Sequence, residues 1–516
     1  MAKASENLAR SLEELHQLLE RGQVAIRSTE LSKTHRERLI KNGFLKKVTN
    51  GWYLATSPDE KPGDTTSWYA SYWNFCSQYL TRKFGKSYCL SADHSIQLHS
   101  GNMSVPFQLI VRSSKGNNRI LNLINNTSIF LLQQPIPSKT EMAEVAGMQV
   151  YSPPSALANC SSAEFTKSPI DTKVVLGLIR DSSDVLKILL DGGRSIKAGV
   201  LAGAFRNVHR DRIADEIIKT MKSVSYTIRE IDPFKTPTPI GLSLRKKSPY
   251  VNRINIMWYQ MREDVIKHFL KAPGIPKNQN EYLKKVEEIY TTDAYHSLSI
   301  ERYKVSAELI ERVRSGNWNK ESNEDKTERN RMAARGYWQA FQKVKESIRK
   351  ILNGKNPGEI VDSEYGNWYQ ELFSPSVIAG IIKASDLVGF RSGQVYIGNS
   401  NHVPLNQEAV REAMPTFFEL LTKEKEACVR TVLGHFIFVY IHPYMDGNGR
   451  MGRFLMNTML ASGGYPWTVI PVEERTKYME ALEKASVEQD IIPFTKFLAH
   501  HVNLTMKGKP VAKIGL

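Results

Sequence analysis

The stretch Ile441-His442-Pro443-Tyr444-Met445-Asp446-Gly447-Asn448-Gly449-Arg450-Met451-Gly452-Arg453 places an imidazole, a carboxylate, a carboxamide, three glycines and two guanidinium groups in one short run. Read formally, Gly447-x-Gly449-x-x-Gly452 is a dinucleotide-binding fingerprint, with Glu473 about twenty residues on. That fingerprint requires a strand directly before its first glycine. The preceding residues give a helix instead: Val429, Val432, Leu433, Phe436, Ile437 and Tyr440 recur at helical spacing, and residues 441–446 separate that face from Gly447. The dinucleotide reading fails. The pattern predicts helix, tight loop and helix, the second running from about Gly449 to Ala461 and stopped by Gly463-Gly464.

This layout sets Gly447, Asn448 and Gly449 at a helix N-terminus, where backbone N–H groups and the helix dipole favour an anion. Glycine lets a phosphate approach the backbone closely. Arg450 and Arg453 stand three residues apart, so both can point at one polyphosphate. Asp446 is placed to hold a magnesium ion bridging phosphate oxygens, and a capping role for it does not exclude the metal. His442, ending the first helix, is placed to deprotonate an attacking hydroxyl. The parts together describe transfer to a hydroxyl from a nucleotide polyphosphate.

The same run resembles the His-Pro-Phe-x-Asp/Glu-Gly-Asn-Gly-Arg-x-x-Arg signature of the Fic family, with Tyr444 in the aromatic position and a resemblance extending over residues 285–500. The resemblance implies a mostly α-helical fold with a β-hairpin flap, and a protein adenylyltransferase that moves AMP from ATP, with magnesium, onto a Ser, Thr or Tyr hydroxyl of a target protein. It implies His442 as base and Asp446 as magnesium ligand. Asn448, with the amides of Gly447 and Gly449, would cradle the α-phosphate; Arg450 and Arg453 would hold the β- and γ-phosphates, and Gly452 belongs to the same nucleotide-binding set. Gly449 favours AMP transfer, because the kinase-like Doc branch carries Lys there.

Two further segments resemble the family. Gly389-Phe390-Arg391 through Gly398, ending in His402-Val403-Pro404, looks like the flap, with Val395, Tyr396, Ile397 and Gly398 as its target-binding part. Val395 and Ile397 alternate as a short edge strand should, which suits pairing with a target segment by β-augmentation. Arg475-Thr476-Lys477-Tyr478 looks like the segment lining the adenine pocket, where Ser486 stands in place of the Asn of many relatives; Tyr478 as an ordinary core aromatic is the alternative.

Upstream, Asp293-Ala294-Tyr295-His296-Ser297-Leu298-Ser299-Ile300-Glu301-Arg302 resembles the family's inhibitory helix, Ser/Thr-x-x-x-Glu-Gly/Asn. Ser297 and Glu301 are four apart and share a helix face. The resemblance implies that Glu301 pairs with Arg453, keeps the γ-phosphate from its productive position, and holds back transfer, including self-modification. Arg302 replaces the small residue of the pattern, and a cation there is expected to compete with Arg453 for the carboxylate.

The first half of the chain reads differently. An amphipathic helix over 6–22, a short polar helix over 34–41 and a hairpin turning at Thr49-Asn50-Gly51 give a winged helix-turn-helix over residues 1–58. Its second helix carries Lys33, Arg36, Arg38 and Lys41, where a major-groove reader of duplex DNA would need them. Together with Tyr151-Ser-Pro-Pro-Ser-Ala-Leu157 and the Ala198-Gly199 and Ala202-Gly203 helix, this half resembles AbiEi-type bacterial antitoxins and regulators, implying an α+β domain over 59–232. Prolines 233, 237, 239 and 249 mark a linker over 233–250, leaving 251–516 as the Fic region. A DNA-binding regulator, or a self-contained toxin–antitoxin protein with the Fic part as sensor or toxin, is therefore the alternative function.

Composition bounds these readings. The 516 residues, 41% hydrophobic and 24% charged, suit several packed domains and exclude general disorder. No apolar run approaches the ~18 residues of a membrane span, and Met1-Ala-Lys-Ala-Ser-Glu opens no secretion signal, so a cytoplasmic protein is expected. Four cysteines without paired spacing argue against disulfides or structural zinc. The net charge of +17 is uneven: residues 1–250 hold 34 Lys and Arg against 22 Asp and Glu, the remainder 36 against 31. The basic half suits a polyanion.

Overall fold

A computed structural model of the chain describes residues 2–58, 65–234, 238, 248–316 and 328–514. Most of the expected linker, including Pro237, Pro239 and Arg245-Lys246-Lys247, lies outside the described residues. The chain divides into two compact units, Met1–Arg253 with Val395–Pro404, and Ile254–Gln394 with Leu405–Leu516. Among the described residues no helix is long and apolar enough to cross a membrane.

The first unit opens with helix Ala2–Glu20, strand β1 (Ile26–Arg27), helix Lys33–Lys41, and strands β2 (Leu45–Thr49) and β3 (Trp52–Ala55). Ser32 caps the second helix by accepting from His35 N at 3.2 Å. The three strands are antiparallel in the order β1-β3-β2, and Leu15, Leu18, Ile26, Leu31, Leu39 and Leu45 close the core beneath them. Two of the four basic residues expected to meet DNA are used inside this unit. Arg36 Nη1 donates to Ser28 O at 2.6 Å, and Arg38 Nη1 donates to Asn7 O at 2.8 Å and Ser11 Oγ at 2.9 Å. Lys33 pairs with Glu37 at 3.9 Å, and Lys41 is exposed. Each of these two guanidinium groups thus commits its Nη1 to holding the unit together.

Next in the same unit, helix Thr66–Phe84 lays Trp68, Tyr72, Phe75 and Tyr79 against a four-stranded sheet. Its strands are β4 (Cys89–Leu90), β5 (Gln108–Ser113), β6 (Arg119–Asn122) and β7 (Ser128–Gln133), in the order β4-β5-β7-β6, with β5 and β7 parallel from Gln108↔Ser128 to Ser113↔Gln133. Leu109, Val111, Ile129 and Leu131 alternate inward, as a half-buried sheet requires.

The segment expected as a flap hairpin departs from expectation. No strand occurs over 391–404, so Val395, Tyr396, Ile397 and Gly398 form no β-edge. Val395–Pro404 belongs to the first unit, where Val403 enters the aromatic core, Tyr396 packs against it, and Asn401 O accepts from Val105 N at 2.9 Å. Packing of Tyr396 and Val403 into that core holds the segment without strand pairing.

The second unit is helical. Helices Ala427–Ile441 and Asn448–Ala461 form its central antiparallel pair, nearly every residue buried. A Cβ at Gly452 would come within 2.9 Å of Val439 Cγ1 and 3.1 Å of His435 Cε1, so the two helices meet through this glycine. Helices Tyr290–Ile300, Glu328–Leu352 and Pro357–Ile378 pack around the pair.

Candidate active site

The site grows out of the turn between the central helices. His442 ends the first helix in the left-handed region at φ 55°, ψ 61°, its N–H donating to Phe438 O at 3.0 Å. A non-glycine residue held there is strained, and the surroundings fix it. Arg391, buried, donates from Nε to His442 O at 2.8 Å and from its backbone N to Pro443 O at 2.9 Å, and its guanidinium also holds Gly393 O and Leu405 O. Sequence reasoning quoted Arg391 but missed this clamp, since nothing in local spacing links residue 391 to 442.

The His442 ring is oriented by its own helix. Nδ1 lies 3.1 Å from Val439 O, and a carbonyl only accepts, so Nδ1 carries the proton and Nε2 the lone pair. Nε2 has no hydrogen-bond partner among the described residues. Burial pushes the imidazole down from 6.5 to about 4, only partly offset by the Val439 carbonyl, and Arg391 adds to the fall. The ring is therefore neutral at physiological pH.

Asn448 holds the loop together. Its Oδ1 accepts from Tyr444 N at 2.9 Å and its Nδ2 donates to Tyr444 O at 2.8 Å, so the carboxamide staples the loop closed. Tyr444 in turn stacks on Tyr369 with ring centroids 3.7 Å apart. Gly447, at φ 84°, is the N-cap of the second helix, and its N–H donates to Asp446 Oδ1 at 2.6 Å. The first bond of the helix runs from Met451 N to Gly447 O, which leaves the amides of Asn448, Gly449 and Arg450 outside the helical ladder.

The two arginines diverge. Arg450, 1% exposed, lies between the rings of Tyr303 and Phe373, 5.0 and 4.9 Å from their centroids, with Nη2 3.4 Å from Asp446 Oδ2. Its Nε and Nη2 lack hydrogen-bond partners. It faces a cavity of about 270 Å³ lined also by Arg329, Leu372, Ile381 and Asp446. Arg453, 3% exposed, turns the other way: Nε donates to Ser297 Oγ at 2.8 Å, and Nη2 to Ser297 O at 3.0 Å and Glu301 Oε1 at 2.8 Å. Burial alone would pull this guanidinium down, but the Glu301 carboxylate, with Tyr478 and Tyr337 nearby, holds it above its ordinary value.

The carboxylate also covers the helix N-terminus. A Cβ at Gly449 would lie 2.1 Å from Glu301 Oε1 and 3.2 Å from Arg453 Nη1. Gly449 is thus where the carboxylate finds room, over the first turn that attracts anions.

Helix Tyr290–Ile300 ends at Glu301 with a pair of bonds, Arg302 N to Ser299 O at 2.9 Å and Tyr303 N to Leu298 O at 3.0 Å. This is the Schellman arrangement, which puts the residue after the cap in the left-handed region and favours glycine there. Arg302 occupies that position at φ 66°. The family's small residue therefore answers a backbone requirement. The expected competition of Arg302 for the carboxylate is not seen: Glu301 pairs with Arg453, and no Arg302–Glu301 ion pair occurs among the described residues.

Two more side chains complete the arrangement. Asp293, two turns before Glu301 on the same face, is buried, accepts from Tyr337 OH at 2.6 Å, and is pushed up to about 6 by burial. Tyr478, expected at an adenine pocket, is 1% exposed; its hydroxyl lies 2.7 Å from His435 Nε2 and its ring packs on Phe494 and Phe497. It stands in the core here, and Ser486 is likewise buried.

Residues 366–460, which hold this turn and both arginines, match the Fic/DOC family model. The chain carries a Fic domain. Over 121 residues, 23% of the chain, it is 40% identical to the protein adenylyltransferase Fic of Drosophila willistoni, and to the same extent to those of Drosophila virilis and Drosophila melanogaster. The chain spans about a quarter of the length of these curated relatives, 24% of each. Among solved structures, Fic-1 (aa134–508) from C. elegans aligns with 66% of this chain and 87% of its own at 16% identity and TM-score 0.38. A Fic domain-containing signaling protein from Bacteroides thetaiotaomicron aligns with 52% of this chain and all of its own, at 14% identity and TM-score 0.35.

Proposed function

We propose that this protein is an adenylyltransferase that moves AMP from ATP to a hydroxyl of a protein, and that Glu301 holds it largely inhibited. One observation carries the reading. A neutral His442, its Nε2 lone pair unpartnered, stands on the same turn as Gly447–Arg450, whose amides and arginine offer an anion site. In the reaction the target hydroxyl gives its proton to His442 Nε2 as its oxygen bonds to the α-phosphorus. The bond from that phosphorus to the β-phosphate oxygen breaks, and pyrophosphate leaves with the pair. The helix N-terminus faces the charge that gathers on the phosphate oxygens, and Arg450, already desolvated between two rings, contributes donors that need an acceptor.

Asp446 fits a magnesium site. It is a half-exposed carboxylate on the loop, and magnesium characteristically takes one or two carboxylates together with substrate phosphates and water. A magnesium ion held there supplies neutralisation of phosphate charge.

The test is the clamp. Arg450→Ala and Asp446→Ala should each lower kcat/KM for ATP by about 10- to 100-fold, since each removes a charge set against triphosphate or metal. Intact mass of the acceptor separates AMP from phosphoryl transfer. Unchanged activity in both variants would mean that this loop does not take nucleotide in this orientation.

The strained Schellman position gives a second test, on the inhibitory segment. Arg302→Gly removes a left-handed strain of roughly 1 kcal/mol, so the inhibited arrangement should tighten and basal AMP transfer fall several-fold. Arg302→Ala keeps the strain and removes only the cation, and should leave transfer near wild type. A fall in the Ala variant equal to that in the Gly variant would return the explanation to charge competition.

A further inference from the structure

The cavity beside Arg450 contains a cation that the nucleotide signature does not supply. Arg329 lies in the first turn of helix Glu328–Leu352, outside the segment matched by the family model, and is exposed. Its guanidinium stands 5.6 Å from the centroid of Tyr303, while Arg450 approaches the same ring at 5.0 Å. Both arginines and Tyr303 line one cavity of about 270 Å³, and among the described residues Asp446 is its only lining carboxylate. Two guanidinium groups gathered on one ring repel each other unless an anion joins them, and Arg450 presents buried donors with no acceptor.

From this geometry we infer that Arg329 is a third arginine for the polyphosphate, binding the outer phosphates of the nucleotide and the pyrophosphate that leaves, with Tyr303 as the platform that positions it. The inference deepens the adenylyltransferase reading and rests on it. The charge balance favours this occupant. Two guanidinium groups face one carboxylate across the cavity, and a divalent cation on that carboxylate would make the surplus larger, which suits a polyanion and not a single phosphate. Beside Asp446 the lining is mostly apolar, with Leu372, Ile381 and Ile382, and Ser376 adds a neutral hydroxyl that does not balance the cationic charge. The π-face of Tyr303 attracts both guanidinium groups and leaves their N–H edges available to phosphate oxygens. Arg329 should therefore matter for the end of the nucleotide that departs and little for the adenosine monophosphate part.

The experiment uses the full chain carrying Glu301→Gly, with magnesium present, and measures binding of ATP, AMP and inorganic pyrophosphate by calorimetry. Arg329→Ala, at an exposed position where folding is not at stake, should weaken ATP and pyrophosphate about tenfold and leave AMP within about twofold, as expected for one lost charge-assisted contact. Arg329→Lys should restore part of that loss, and Tyr303→Ala should reproduce it more weakly, again sparing AMP. Unchanged ATP and pyrophosphate binding in Arg329→Ala, with Arg450→Ala still weakening both, would overturn the role of Arg329 and leave the nucleotide reading standing. An equal loss for AMP would overturn it too, by showing a general effect. Unchanged binding in both arginine variants would overturn this inference together with the reading beneath it.

Discussion

His442→Ala should lower AMP transfer by at least about 10²-fold, the scale of a positioned general base, while ATP binding stays close to that of the parent. The comparison belongs in the Glu301→Gly background, where transfer is fast enough to measure a loss. The separation of effects follows from position. Nδ1 is held by its own helix at Val439 O, so on the proposed reading Nε2 is the atom that takes the nucleophile's proton, and the phosphates are held by other groups. Removal of the ring also frees the residue to relax its left-handed backbone, so a His442→Asn control, tolerant of that conformation, keeps the turn while removing the base. Near-parent transfer in either variant would exclude His442 as the base.

The pH profile gives the same assignment an independent check. A base acts when deprotonated, so activity is lost as pH falls through its pKa. Burial places that of His442 at about 4 in place of 6.5. kcat/KM, which reports the free enzyme, should therefore stay level from about pH 8 to about pH 6 and decline only on further acidification. A midpoint close to 6.5 would mean that the group controlling the rate is not this imidazole in this setting.

How much of this was readable beforehand depends on whether the determining physics is local. The helix–loop–helix was legible because one apolar face repeats from Val429 to Tyr440 and a glycine pair stops the second helix, all within reach of a single window. The meeting of Ser297 and Glu301 with Arg453 was legible only through resemblance, for no spacing rule joins residues more than 150 positions apart. What composition and pattern misjudged were side chains with two credible uses. Asn448 carries donors and an acceptor on one plane, and the backbone of Tyr444 takes the acceptor and one of the two N–H donors. Arg36 and Arg38 read as a basic helix face, yet each spends its Nη1 on a backbone carbonyl of the same unit, at Ser28 and Asn7. Val395 and Ile397 alternate like a strand, but here Val395 is buried, Ile397 only partly so, and the side chains that join the first unit's core are Tyr396 and Val403, so the alternation did not mark a strand. Arg302 shows what a one-letter pattern hides: at φ 66° it sits at the left-handed position of a Schellman turn, where a small residue is favoured.

Glu301→Gly should raise AMP transfer, self-modification included, by an order of magnitude or more, equivalent to at least about 1.4 kcal/mol in the barrier. The reasoning starts from Arg453. Its guanidinium is 3% exposed and satisfied on one side by Ser297 and on the other by Glu301, leaving Nη1 without a partner. One guanidinium cannot serve a carboxylate and a phosphate in full, and the Glu301 oxygen lies over Gly449, in the space where an anion would meet the helix N-terminus. Removing the carboxylate alone leaves a buried cation uncompensated, a costly state that an incoming phosphate relieves. The variant should therefore gain in productive nucleotide placement more than in stability, and its melting temperature without nucleotide should fall while ATP restores it. Ser297→Ala removes only the acceptor for Nε and should activate by a smaller factor, because Ser297 O and Glu301 remain. Glu301→Gln separates charge from shape: it keeps an oxygen for Nη2 but no longer balances the buried charge, so its rate should fall between those of the parent and the Gly variant. Equal rates for wild type and Glu301→Gly at saturating ATP and magnesium would sink the inhibitory role, and the Arg453–Glu301 pair would then be an ordinary structural ion pair.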